Sequence, residues 1–107
     1  MAWVLLVLAI FSEVAATLAL KASDGFSRLL PSVVVVAGYL ASLGLLGLTL
    51  RSLPVGVTYA VWAGVGTFGA ALGAVVLFGE RISWLLGVGI GLVVAGVVLV
   101  TLAEAQA

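Results

Sequence analysis

Any chemistry in this chain must be organised around Glu13. It is the only ionisable side chain between Met1 and Leu20, inside the otherwise membrane-like run Trp3–Leu20. A carboxylate at the centre of a bilayer costs roughly 2.5–3.5 kcal/mol on insertion scales, so an acid kept there marks a functional site. Helical spacing places Leu6, Ala9, Ile10, Ala16, Thr17 and Leu20 on the same face as Glu13. Its neighbours three and four residues away are mostly small, which leaves space in front of the carboxylate. Deeper in the chain, Tyr39 and Ser42 lie three residues apart, as do Tyr59 and Trp62, so each pair shares a helix face. Rings with a polar tip need a hydrogen-bond partner when buried. An acid converging with such rings suits a lipophilic cation. The carboxylate supplies charge, and each ring face adds about 0.5–2 kcal/mol of cation–π attraction. Taken singly, deep aromatics usually do no more than pack helices. Their convergence with the one embedded acid favours binding.

The elements that position these residues follow from composition. The chain has 107 residues, 65% of them hydrophobic and only 7% charged, with a mean hydropathy of +1.48. A soluble domain with a polar surface is excluded. Four apolar stretches, about 3–20, 29–50, 54–78 and 84–102, predict four membrane-spanning helices and an all-α membrane protein formed as one domain. Each has the length a helix needs to cross a hydrocarbon core of about 30 Å. A β-barrel would alternate apolar with polar residues, and these runs are apolar all round. A cleaved leader is not expected, because no basic segment precedes the first run and Glu13 would interrupt its apolar core. Trp3 and Trp84, at span ends, read as interfacial anchors.

The connections are short: 21–28, 51–54 and 79–83. They make successive helices antiparallel neighbours and leave no room for an extramembrane domain, nucleotide site or lid. Asp24, Glu80 and Glu104 fall in loops or the tail, where solvation accounts for them. The chain has no cysteine and no histidine, which excludes disulfides, thiol chemistry and the usual transition-metal sites. No cofactor is expected. Enzymatic activity has no support, since no nucleophile–base pair or phosphate loop is present. A net charge of zero argues against nucleic acid as a partner.

Charge orients the chain poorly. Arg51 and the amino terminus fall on one side, Lys21, Arg28 and Arg81 on the other, and this bias is weak by the positive-inside rule. Either the topology is simply hard to read, or copies insert both ways and pair head to tail. Size favours pairing, because four helices barely enclose a ligand-sized cavity with access to both sides. The fourth stretch offers a seam: Gly87, Gly91 and Ala95 recur every four residues, and Gly89 and Gly96 lie seven apart. Small residues let membrane helices approach closely, although glycine is common in such helices by chance. Gly64 and Gly66, just after Trp62, make either a kink in a cavity-lining span or a site of close helix packing.

These residues carry a resemblance. Glu13-Val14, Lys21-x-Ser23-x-Gly25-Phe26, Pro54-x-Gly56-x-x-Tyr59-Ala60-x-Trp62-x-Gly64-x-Gly66, Phe78-Gly79-Glu80 and the Gly89/Gly96 pair occur in order. Over essentially its whole length the chain resembles the small multidrug resistance transporters, in their quaternary-ammonium and multidrug branch. The resemblance implies an antiparallel, dual-topology homodimer, multi-pass in a bacterial inner membrane, that exchanges protons for cationic hydrophobic substrates. It implies that Glu13 of both copies forms the shared site, with Tyr39, Tyr59 and Trp62 lining it. Gly64 and Gly66 would form a conformational hinge, and Gly89 and Gly96 would lie in the dimerising helix. Ala9, Ile10, Thr17 and Ser42 complete the expected proton- and substrate-binding set. Exporters of small guanidinium ions in this family usually carry tryptophan three residues after the acid, where this chain has Ala16. Ala16, Leu18, Leu43 and Gly44 depart from the best-known multidrug pattern and leave the substrate range open. Two alternatives remain: a guanidinium or other small-cation/proton exchanger on the same fold, and a non-transporting membrane interaction protein or one subunit of an obligate heterodimeric transporter. A fixed partner predicts a strong charge bias, which is absent.

Overall fold

Lipid offers no hydrogen-bond partners, so an apolar run must satisfy its backbone internally, and a single segment can do this only as a helix. The computed structural model describes residues 1–106 and contains four such helices. They are α1 (Ala2–Ala22), α2 (Leu29–Thr49), α3 (Val55–Phe78) and α4 (Trp84–Gln106). Each is long and apolar enough to cross a membrane. The chain divides into two compact units, Met1–Leu53 and Pro54–Ala107. In the first α1 packs on α2, and in the second α3 packs on α4.

Three boundaries differ from the sequence expectation. Lys21 and Ala22 belong to α1 rather than to the loop, and Lys21 lies in its last turn. A cation there complements the negative end of the helix dipole. Pro54 precedes α3 as its N-cap, with extended backbone at φ −62° and ψ 152°. The fourth helix does not stop near Leu102 but continues to Gln106, so Glu104 is helical and not part of a loose tail. Ala103, Glu104, Ala105 and Gln106 all favour helix, and no glycine or proline intervenes to end it.

The α1–α2 turn is held by Ser23, which is fully buried. Its hydroxyl donates to the Leu20 carbonyl at 2.7 Å and accepts the Phe26 N–H at 3.0 Å. Its carbonyl accepts the N–H groups of Ser27 and Arg28. Around this hub Asp24, Gly25 and Phe26 all adopt left-handed backbone, at φ 50°, 69° and 67°. Such a conformation costs a non-glycine residue about 1–2 kcal/mol. The second hairpin closes more conventionally. Gly79 ends α3 at φ 65° with its N–H on the Val75 carbonyl, and Glu80 N–H reaches back to Ala74. Ser83 then caps α4 by accepting the Leu86 N–H at 3.1 Å.

Close approach of α1 to α2 depends on Gly38. A Cβ added there would lie 2.8 Å from Ala16 Cβ and 3.1 Å from the Ser12 carbonyl oxygen. Ala16 itself is fully buried, so its small size serves helix contact and does not open space before the acid. Gly38→Ala should force the two helices apart and destabilise the protein by about 1–3 kcal/mol, the usual cost of overpacking. Unfolding titrations in mixed detergent micelles measure this directly, and an unchanged midpoint would contradict the contact.

Candidate functional site

The face of α1 expected to carry the acid is the buried one. Leu6, Ala9, Ile10 and Ala16 are all buried, and Glu13 and Thr17 lie along the same stripe, half-buried. One helical turn separates Thr17 from Glu13, and its hydroxyl donates to the Glu13 Oε1 at 2.9 Å. The same Thr17 oxygen lies 2.7 Å from the Tyr39 hydroxyl on α2. The acid is therefore joined to the neighbouring helix through one side chain. A second tie sits about one turn earlier on α1, where the buried Ser42 hydroxyl donates to the Ala9 carbonyl at 2.8 Å. Ser42 thus bonds to α1 backbone while sharing a face with Tyr39.

In the second unit the structure pairs Tyr59 with Trp62. Their ring centroids are 5.6 Å apart with planes tilted by 56°, a geometry that aromatic pairs favour. Tyr59 is exposed and Trp62 half-buried. Gly64 and Gly66 are both buried within an unbroken α3. At Gly64 the requirement is close packing, because an added Cβ would collide with the Val97 side chain of α4 and approach Val93 Cγ1 to 3.3 Å. On α4, added Cβ atoms at Gly89 and Gly96 would meet nothing within 4 Å, and no residue of this helix is buried.

Sequence reasoning missed Thr58. It is fully buried, and its hydroxyl has no hydrogen-bond partner. The other helical threonines all use theirs: Thr17 on Glu13, Thr49 on Leu45, Thr67 on Ala63 and Thr101 on Val97. An unmet buried hydroxyl is uncommon in folded proteins. The available signal was its position, immediately before Tyr59 and one helical turn before Trp62.

A groove of about 380 Å³ runs along the α3–α4 hairpin, lined by residues such as Phe68, Leu72, Ile90 and Val94. Its lining carries no polar side chain and none of the predicted site residues. It lacks the means to hold a charge. Among the described residues, no cluster of acidic side chains could hold a metal ion.

Two substitutions test these contacts. Ser42→Ala should cost about 1 kcal/mol of stability by leaving the Ala9 carbonyl without its donor, read from the same detergent unfolding titration. Gly64→Ala should be destabilising alone and recover when combined with Val97→Ala, giving a coupling energy of about 0.5–3 kcal/mol in a double-mutant cycle. Additive effects would mean that the two positions do not meet.

Comparison with known proteins adds an independent result. The family model described as Small Multidrug Resistance protein matches residues 1–103. The quaternary ammonium compound-resistance protein QacF of Klebsiella aerogenes is 49% identical over 100 residues, covering 94% of this chain and 91% of that protein. QacE of Escherichia coli, another quaternary ammonium compound-resistance protein, is 48% identical with the same coverage. A guanidinium exporter of Yersinia pestis is 44% identical over 104 residues, covering 97% of this chain and 100% of the exporter. These relatives are resistance proteins and exporters rather than enzymes. With four membrane-spanning helices and a family match across nearly its full length, the chain belongs to the small multidrug resistance family.

Proposed function

We propose that this protein is a proton-coupled antiporter that exports lipophilic and quaternary-ammonium cations through a site centred on Glu13. The observation that carries this reading is a single carboxylate inside a membrane helix, hydrogen-bonded to Thr17 and through it to Tyr39. Tyr59 and Trp62 supply the ring faces on which a cation can rest. Proton and cation compete for one negative charge. When occupancy is mutually exclusive and the empty charged site does not reorient, proton entry must alternate with cation exit.

The working unit is an antiparallel homodimer in a bacterial inner membrane, with Glu13 of both copies in a common site. The open glycine face of α4, at Gly89 and Gly96, supports a close contact with a second copy. The weak charge bias of the loops supports insertion in both orientations. Gly66 and Gly64 serve as the region where α3 adjusts as access alternates.

A second reading, export of guanidinium or another small cation, is favoured by the relative in Yersinia pestis matched over its whole length. Ala16 argues for the first reading. It stands where guanidinium exporters usually carry tryptophan, and its side chain packs against Gly38 of α2.

Proton release from the purified protein in weakly buffered detergent separates these readings. Tetraphenylphosphonium should release protons from the wild type and not from Glu13→Gln. Release with guanidinium alone would select the small-cation reading. In proteoliposomes Glu13→Gln should abolish uphill transport while Glu13→Asp retains binding. Uphill transport by the Gln variant would overturn the scheme.

A further inference from the structure

Thr17 has a single hydroxyl proton, and that count fixes the direction of a hydrogen-bond chain. An ionised carboxylate only accepts, whereas threonine and tyrosine hydroxyls can each donate one proton and also accept. With Glu13 ionised, Thr17 donates to its Oε1 at 2.9 Å. Its one proton is then committed, so the 2.7 Å contact with Tyr39 must be donated by the tyrosine. Tyr39 in turn has no proton left, and it offers only lone pairs to anything else that approaches its oxygen. A proton taken up on Oε1 reverses the chain. Glu13 then donates to Thr17, Thr17 donates to Tyr39, and the phenolic proton is released to point elsewhere.

We propose that Thr17 is a positioning residue that converts the charge state of Glu13 into the hydrogen-bonding polarity of Tyr39. In the charged state the acid and the tyrosine both present acceptor oxygens, which favours cations bearing N–H groups over cations that have none. In the protonated state Tyr39 becomes a donor, so it no longer invites an N–H cation while the proton holds the site. The inference rests on the reading of Glu13 as the exchange site and adds a substrate preference to it. Quaternary ammonium and phosphonium ions draw only on charge and ring faces, so they are indifferent to the direction of the chain. Protonated amines and guanidinium ions are not.

No other group within the hairpin competes for this role. Glu13 is the only ionisable side chain of α1 before Lys21, and α2 carries no charged residue between Arg28 and Arg51. Tyr39 is the only tyrosine of α2. On α3 the one titratable side chain is Tyr59. Among the described residues Thr17 is the side-chain link between the acid and α2, so removing its hydroxyl cuts the chain at one point.

The test is a matched pair of ligands on the full-length protein in detergent, benzylammonium with N–H groups and benzyltrimethylammonium without. Their dissociation constants are measured across the pH range in which benzylammonium keeps its charge. In the wild type benzylammonium should bind about five- to tenfold more tightly than benzyltrimethylammonium, the worth of one added hydrogen bond. Because both cations bind only the ionised acid, their ratio should hold as the pH changes. Thr17→Val should shrink this ratio toward one, and Thr17→Ser, which restores the hydroxyl, should recover it. Tyr39→Phe should remove the extra preference at every pH, read as the ratio of the two dissociation constants, since the lost hydrogen bond touches only the N–H ligand. No preference in the wild type, a full preference surviving in Thr17→Val, or no recovery with Thr17→Ser would each overturn the proposal. Failure of the functional reading itself looks different: Glu13→Gln would then bind both ligands as the wild type does.

Discussion

A carboxylate inside an apolar helix cannot look to solvent for hydrogen bonds, and this constraint shapes the rest of the molecule. Glu13 finds a partner one turn away on its own helix, and that partner binds the adjacent helix. The contact demands that α1 and α2 lie close together. Closeness in turn demands Gly38 opposite the fully buried Ala16, where a single added carbon would strike fixed atoms. The acid's chemistry and the hairpin's packing are therefore one requirement. A looser hairpin would leave the acid with a longer, weaker connection to Tyr39, and a low dielectric makes such unmet polar groups costly.

The second unit solves a different problem. Its helices carry no embedded charge between Pro54 and Phe78, and its contacts are those of close apolar packing, with Gly64 set against Val97. Tyr59 and Trp62 stand on α3 as a tilted aromatic pair. The sequence thus divides labour between its halves: one holds a charge and its hydrogen bonds, the other offers ring surface on a tightly packed helix. Among the described residues the one buried side-chain polar atom without a partner is the Thr58 hydroxyl, next in sequence to Tyr59.

Much of this was legible in the residues. The four helices follow from uninterrupted apolar runs, since lipid leaves the backbone no other solution for an open chain. The buried face of α1 followed from helical period, because Leu6, Ala9, Ile10 and Ala16 recur with the spacing of Glu13. The link from Glu13 to Tyr39 was not legible. Period places Thr17 beside the acid, but only the register of α2 against α1 brings Tyr39 to the same oxygen. Ala16 misled for a related reason: a small side chain signals space or contact with equal force, and the neighbouring Gly38 decides between them. Helix ends were least legible where propensity changes gradually, as in the run from Ala103 to Gln106. Thr58 escaped notice because an ordinary threonine satisfies itself on its own helix.

The turn after α1 has a practical corollary. Three successive left-handed residues wound about the buried Ser23 form a connector of fixed length, tied by both the side chain and the carbonyl of one residue. Topology is commonly mapped by splicing reporter tags into loops. A tag inserted between Ser23 and Arg28 would unpick those ties and release α2 from its register on α1. Such a reporter would record the orientation of a damaged hairpin, and sidedness is better read from single labels that replace exposed side chains without lengthening the chain.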